Sequence, residues 1–260
     1  MPTTAAVLAA LTLLPAGEAH VEAGHDLGVD HRLRGRVFAQ VAPTLFRGDD
    51  WGFRVEAGLE TWFRENRIDE SPVRLSPEHI RYPVSGHLRF DLPDARAWGV
   101  FVAHQSNHDV DTTDEALNRE TVSFELYGAE LVGTDFRLWA AMLYDRGTTL
   151  QMKRQSWPFE YAFGALHGDA LWPLWGPLDT AGSLTVAFHR NGDTEIPHVR
   201  LDAAADIGAS FFGPAGALRP FLRAQRLEDY RHLADPPRYV LMLGLAIGVQ
   251  SGQAVHAPRP

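Results

Sequence analysis

Between residues 53 and 63 the chain alternates Phe53, Val55, Ala57, Leu59, Thr61 and Phe63 with Arg54, Glu56, Gly58, Glu60 and Trp62. Successive side chains of a strand point to opposite sides, so this stretch predicts a strand with an apolar face and a charged one. The same division recurs at Ile80, Tyr82, Val84, Leu88 and Phe90 against Arg81, Ser85, His87 and Arg89. It returns at Val199, Leu201, Ala203, Ala205, Ile207, Ala209 and Phe211 against Arg200, Asp202, Asp206 and Ser210. Near the end, Tyr239, Leu241, Leu243, Leu245, Ile247 and Val249 oppose Met242, Gly244, Ala246 and Gly248, so there the second face is small rather than charged.

Taken together, the pattern predicts strands near 34–42, 52–64, 79–91, 97–106, 118–128, 135–145, 158–167, 181–190, 198–212, 217–228 and 238–249. A barrel with both ends on one side of a membrane needs an even number, which implies a weak first strand around 24–31 and about 12 in all. The expected fold is all-β, an antiparallel transmembrane β-barrel. Its long polar loops fall at 65–78, 107–117, 146–157 and 229–237, and its short turns at 92–96 and 213–216. Two connections on the turn side, 43–51 and 168–180, come out longer than such barrels favour, and the second carries Trp172 and Trp175, suited to a membrane interface. The alternation also describes a soluble barrel or sandwich with its faces reversed. The densely charged second face and the loop asymmetry favour the membrane.

At 260 residues a single domain is the default, and nothing in the interior reads as a linker. Residues 1–19 join a short apolar run, Ala5 to Leu14, to Pro15 and to small residues at Gly17 and Ala19, which reads as a leader cut after Ala19. The barrel is then expected over 20–249 and a disordered tail over 250–260. No cysteine is present, so no disulfide framework exists, and the net charge of −9 argues against nucleic acid as a partner. No run of eighteen apolar residues follows the leader, which excludes spanning helices.

Candidate chemistry gathers between Trp98 and Tyr127. In a strand, Trp98, Val100, Val102, His104 and Ser106 share one side, which puts an imidazole and a hydroxyl on the apolar face. After an acidic loop, alternation places Asn118 with Val122, Phe124 and Leu126, and sets Arg119, Thr121, Ser123 and Glu125 on the opposite side. Polar groups on a hydrocarbon-facing surface are costly unless they bond to one another. Serine becomes a nucleophile when histidine takes its proton and a third group fixes the imidazole, a role that asparagine can fill. The plain alternative is a His-x-Ser that ends a strand by chance, with Asn118 capping the loop.

His104-Gln105-Ser106-Asn107, with Asn118 twelve positions after the serine and Arg119 following it, resembles the active-site signature of outer-membrane phospholipase A. The resemblance implies a calcium-dependent serine acyl hydrolase in the bacterial outer membrane, acting on membrane phospholipid. Ser106 would be its nucleophile, His104 the general base and Asn118 the orienting residue, on the lipid-facing side of a twelve-stranded barrel. It also implies calcium near Asp109, Asp111 and Asp114, and activity tied to a reversible homodimer. This chain has His108 and Asp109 where that family carries Gly-Arg. Lipid A deacylases are similar in His-x-Ser but use a glutamate as third member. An uncharacterised outer-membrane family with a His-Gln-Ser-Ser-His stretch is also similar, and it implies a catalytically silent structural or binding barrel.

Overall fold

The alternating stretches form thirteen strands: β1 (Gly17–Asp26), β2 (Gly35–Arg47), β3 (Trp51–Glu65), β4 (Leu75–Leu92), β5 (Arg96–Asp109), β6 (Thr121–Val132), β7 (Phe136–Asp145), β8 (Ala162–Trp175), β9 (Leu178–Arg190), β10 (Pro197–Ala209), β11 (Phe211–Gly213), β12 (Gly216–Leu227) and β13 (Arg238–Ser251). The structure, a computed structural model, describes residues 17–27, 35–65, 75–109, 121–145, 162–190, 197–214, 216–227 and 237–251. Every pairing is antiparallel between chain neighbours, and two further pairings close the ring: β1 on β13, and β12 on both β10 and β13. The three-residue β11 continues β10 past Ser210 along the same partner, so the wall is a closed barrel of 12 strands.

The two faces separate as the alternation requires. Outside lie Val84, Val100, Val102, Leu138, Leu166, Leu184, Val199, Ile207, Leu243 and Leu245, each exposed by 41% or more. A closed barrel with this apolar exterior leaves no unpaired backbone edge to hydrocarbon, which makes it a membrane barrel of the outer-membrane type. Short turns at 48–50, 93–95, 133–135 and 176–177 share one end with the Gly213–Gly216 pairing of β11 and β12, and the strands that longer connections join end at the other. At the turn end Phe46, Trp51, Trp98, Trp172, Trp175, Phe211 and Phe212 are exposed, forming the aromatic girdle of one interface. By loop length that end is periplasmic.

Among the described residues the lumen is lined by paired charges. Arg223 on β12 reaches Glu22 on β1 (2.6 and 3.0 Å) and Asp206 on β10 (3.0 Å). Glu22 also takes Arg36 (2.5 Å), which bonds Glu60 on β3 (2.6 Å). Arg219, 1% exposed, is held by Asp206 and by Asp179 (2.7 Å). A second group centres on Glu130 of β6, which accepts from Arg89 (2.7 Å) and is paired with Arg137 (2.9 Å). Beside the first group, Trp62, Phe221, Val240, Met242 and Ala246 pack together, with the Arg223 guanidinium 4.5 Å from the Phe221 ring centre. Charges this buried persist only when paired, and here each arginine spans two or more strands.

Three expectations need correction. The first strand starts earlier than 24: β1 covers Gly17–Asp26, with Gly17, Glu18 and Ala19 paired to Ser251, Gln250 and Val249. What fixes it there is the lumen, where Glu22 and Asp26 are buried while Ala23 and His25 face out. The stretches 43–51 and 168–180 are mostly strand, with turns of only 48–50 and 176–177, the latter turning on Gly176 at φ 60°. β13 runs on through Ser251, and residues 1–16 and 252–260 lie outside the described residues.

Candidate functional site

β5 rises from the periplasmic turn with Trp98, Val100 and Val102 exposed by 46%, 47% and 55%, while Phe101, 6% exposed, points into the lumen. His104 continues the outward row and is exposed, and Ser106, two residues on, is part-buried. The two α-carbons are about 7 Å apart along the strand. Ser106 stands eight residues beyond the girdle tryptophan Trp98, roughly 27 Å of strand and about 20 Å of height at the usual tilt. That puts the pair near the outer edge of an apolar band about 25 Å tall. Across the ladder on one side, Val84 pairs with His104 and Tyr82 with Ser106, and both side chains are exposed.

On the other side the structure departs from the sequence reading. Glu125 pairs with His104, and Tyr127, 44% exposed, pairs with Val102. Leu126 therefore shares the lumen side with Gly128 and the buried Glu130, and the parity that grouped Leu126 with the lipid face is reversed. The reason is Glu130, whose place among Arg89, Arg137 and His87 fixes which residues of β6 look inward. A window carried past Leu126 would have shown it, since Tyr127, Ala129 and Leu131 then form the apolar row and Glu130 the polar one. The Tyr127 hydroxyl donates to Glu125 Oε2 at 2.5 Å, so a bonded carboxylate occupies the position of β6 paired with His104. The sequence reading sets Glu125 on the opposite side from the candidate residues.

Asn118, Asp111 and Asp114 lie outside the described residues. Asp109 is the last residue of β5, its backbone paired with His79. Among the described residues no cluster of three acidic or histidine side chains could hold a cation, and of the three candidate aspartates only the backbone of Asp109 is described.

Below His104 the lipid face dips. A depression of about 900 Å³ runs across the wall, floored by Gly86, Ala129, Ala140 and Gly164 and walled by Phe53 and Leu88 on one side and Met142 and Phe188 on the other. Val102 and Tyr127 form its upper rim, one ladder step from His104 and Glu125. Small residues on the floor and large ones around it leave a trough that hydrocarbon alone can fill.

No known protein family and no curated protein matches the sequence. Among solved structures the barrel is similar to an outer membrane channel from Pseudomonas putida F1, at 12% identity over 91% of this chain and 96% of that one, with a TM-score of 0.54. It is also similar to outer membrane phospholipase A from Escherichia coli, at 10% identity over 92% and 90% of the chains with a TM-score of 0.45. The Salmonella typhi outer membrane phospholipase dimer with bound calcium matches at 10% identity over 92% and 90%, with a TM-score of 0.46. At such identities the likeness carries the fold alone: the chain has the architecture of an outer-membrane barrel.

Proposed function

We propose that the chain is an outer-membrane acyl hydrolase that opens lipid esters at Ser106, with His104 as general base. The observation that carries the reading is the position of both side chains on the lipid face of β5, near the outer edge of the apolar band. An ester at the headgroup boundary meets the wall at this height, and its acyl chain has the trough below Val102 and Tyr127 to lie in. Ser106 Oγ bonds to the carbonyl carbon as His104 takes its proton, the alcohol leaves with that proton, and water activated by His104 then cleaves the acyl–serine bond, freeing the acid and returning the proton to Ser106. The motif resemblance favours glycerophospholipid as substrate, Asn118 as orienting residue, calcium near Asp109, Asp111 and Asp114, and a reversible homodimer.

Glu125 favours a second reading of the same site. A carboxylate opposite His104, tied by Tyr127, can accept the imidazole N–H, which is the third member of the lipid A deacylase resemblance. The buried Arg219, His87 and Glu22 count against an open pore.

The test is acyl release from phospholipid and from lipopolysaccharide in mixed micelles, with calcium or a chelator, by the folded protein beside Ser106→Ala. Release lost in the variant supports the hydrolase, and the preferred lipid names the class. Equal turnover by both proteins, or none from a folded preparation, leaves the catalytically silent barrel. Glu125→Gln and Asn118→Ala then separate the two orienting groups: the true one lowers kcat at least about 100-fold with KM little changed.

A further inference from the structure

The lumen holds a second hydroxyl–imidazole–carboxylate set, independent of the lipid-facing residues. Ser85 and His87 lie two apart on the inner face of β4, and Ser85 Oγ is 2.7 Å from His87 Nε2. His87 Nδ1 is 2.9 Å from Glu130 Oε1 on β6. An ionised carboxylate only accepts, so the Nδ1 proton points to Glu130, and in the neutral imidazole Nε2 is left to accept from the serine hydroxyl. Both distances fall in the range that marks an activated nucleophile, with the base oriented by a third group. The ring is held on its face as well, stacked on Phe101 at 5.5 Å, and His87 is 1% exposed whereas Ser85 keeps partial access.

The residues across the ladder are charged and paired with each other. Arg54 on β3 is the cross-strand partner of His87, and Glu56 that of Ser85. The Arg54 guanidinium lies 3.2 Å from Glu56 and 2.6 Å from Glu18. Glu56 Oε2 is 3.7 Å from His87 Nε2, so a second carboxylate stands where it stabilises the imidazolium that forms when the ring takes the serine proton.

We propose that Ser85, His87 and Glu130 form a second acyl-transfer centre, facing the lumen and open to small water-soluble carboxylic esters. The Ser85 oxygen bonds to the ester carbon as its proton passes to His87 Nε2. The tetrahedral centre collapses with loss of the alcohol, which takes that proton. Water then enters by the same route in reverse, and the acid departs.

The test uses the full-length folded protein in detergent with Ser106 already replaced by alanine, so the lipid-facing site contributes nothing. Two probes are applied, p-nitrophenyl acetate and diisopropyl fluorophosphate, with the phosphorylated peptide identified by mass spectrometry. The expected result is a nitrophenol burst and an adduct on Ser85, both absent from Ser106→Ala/Ser85→Ala and slowed at least 100-fold in Ser106→Ala/His87→Gln. Folding of each variant is followed by its heat-modifiable gel mobility. A folded barrel with no adduct on Ser85 overturns the proposal, as does an adduct formed at the same rate without His87. If His87→Gln does not fold, Ser106→Ala/Glu130→Gln takes its place, and an unchanged burst there overturns the proposal. These outcomes are independent of phospholipid turnover, which fails or succeeds with Ser106.

Discussion

The strands β4, β5 and β6 carry two polar groups back to back, and the contrast between them is instructive. On the lumen side Ser85, His87 and Glu130 are knitted to Arg89 and Arg137, so each carboxylate oxygen and ring nitrogen of His87 and Glu130 has a partner. On the lipid side His104, Ser106 and Glu125 stand among Val84, Val102, Tyr82 and Tyr127, all exposed, with Glu125 bonded to a tyrosine. The inner group is what a closed barrel needs to hold buried charge. The outer one is what a closed barrel does better without, because a leucine at each of those positions would suit hydrocarbon. Polar residues on a hydrocarbon-facing surface are candidates for function, and the same residue types holding buried charge are not by themselves.

The sharpest way to break this contrast is Ser106→Ala. It is expected to cut acyl release at least about 10⁴-fold, the scale for losing a nucleophile, while the urea midpoint in detergent stays put. Glu130→Ala reverses the pattern. It strips His87, Arg89 and Arg137 of a shared partner inside the wall and should cost roughly 3–5 kcal/mol of unfolding free energy, read from denaturant titration in liposomes. Val102→Arg sharpens the identity of the outer face: 55% exposed and within the apolar band, it should cost about 2–4 kcal/mol in a bilayer, and a smaller loss would deny that this face meets lipid.

Much of the barrel was legible because its lumen is charged. Wherever a strand sets Arg, Glu or Asp against aliphatic residues, as at 53–63 and 198–212, the faces separate at sight and the structure keeps them. The bounds of β1 were misjudged because its outward Ala23 and His25 are too small or too polar to signal a lipid face, while its inward glutamates mean little without Arg36 and Arg223 from β2 and β12. At the candidate site, parity along β5 was sufficient for His104 and Ser106. Across the loop it failed, since Val122, Phe124 and Leu126 look like an apolar face and only the pairing of β6 with its neighbours tells which side is out. Lumen faces are locally apolar wherever they pack on rings, as Gly128 and Phe101 do, so hydrophobicity alone cannot choose the side.

Two glycines on either side of β7 refine the comparison at the scale of one methyl group. Gly128 faces inward: a β-carbon there would stand 2.6 Å from the Phe101 ring and 2.6 Å from the Ala140 carbonyl oxygen. Phe101 cannot retreat freely, because its face is stacked on His87 and its edge meets Trp139 at 5.8 Å between ring centres. Gly128→Ala should therefore cost about 1–3 kcal/mol, as overpacking does, and should slow any Ser85 reaction by displacing the imidazole. Gly164 faces the trough, where the nearest atom to an added β-carbon is the Ala141 carbonyl oxygen at 3.8 Å. Gly164→Ala should leave stability within about 0.5 kcal/mol of the parent. It also raises the floor of the trough by a methyl group, so if an acyl chain lies there during turnover, the shift appears as a higher KM for long-chain lipid with kcat preserved. Equal effects from both glycines would mean that the wall does not distinguish its two faces at this height.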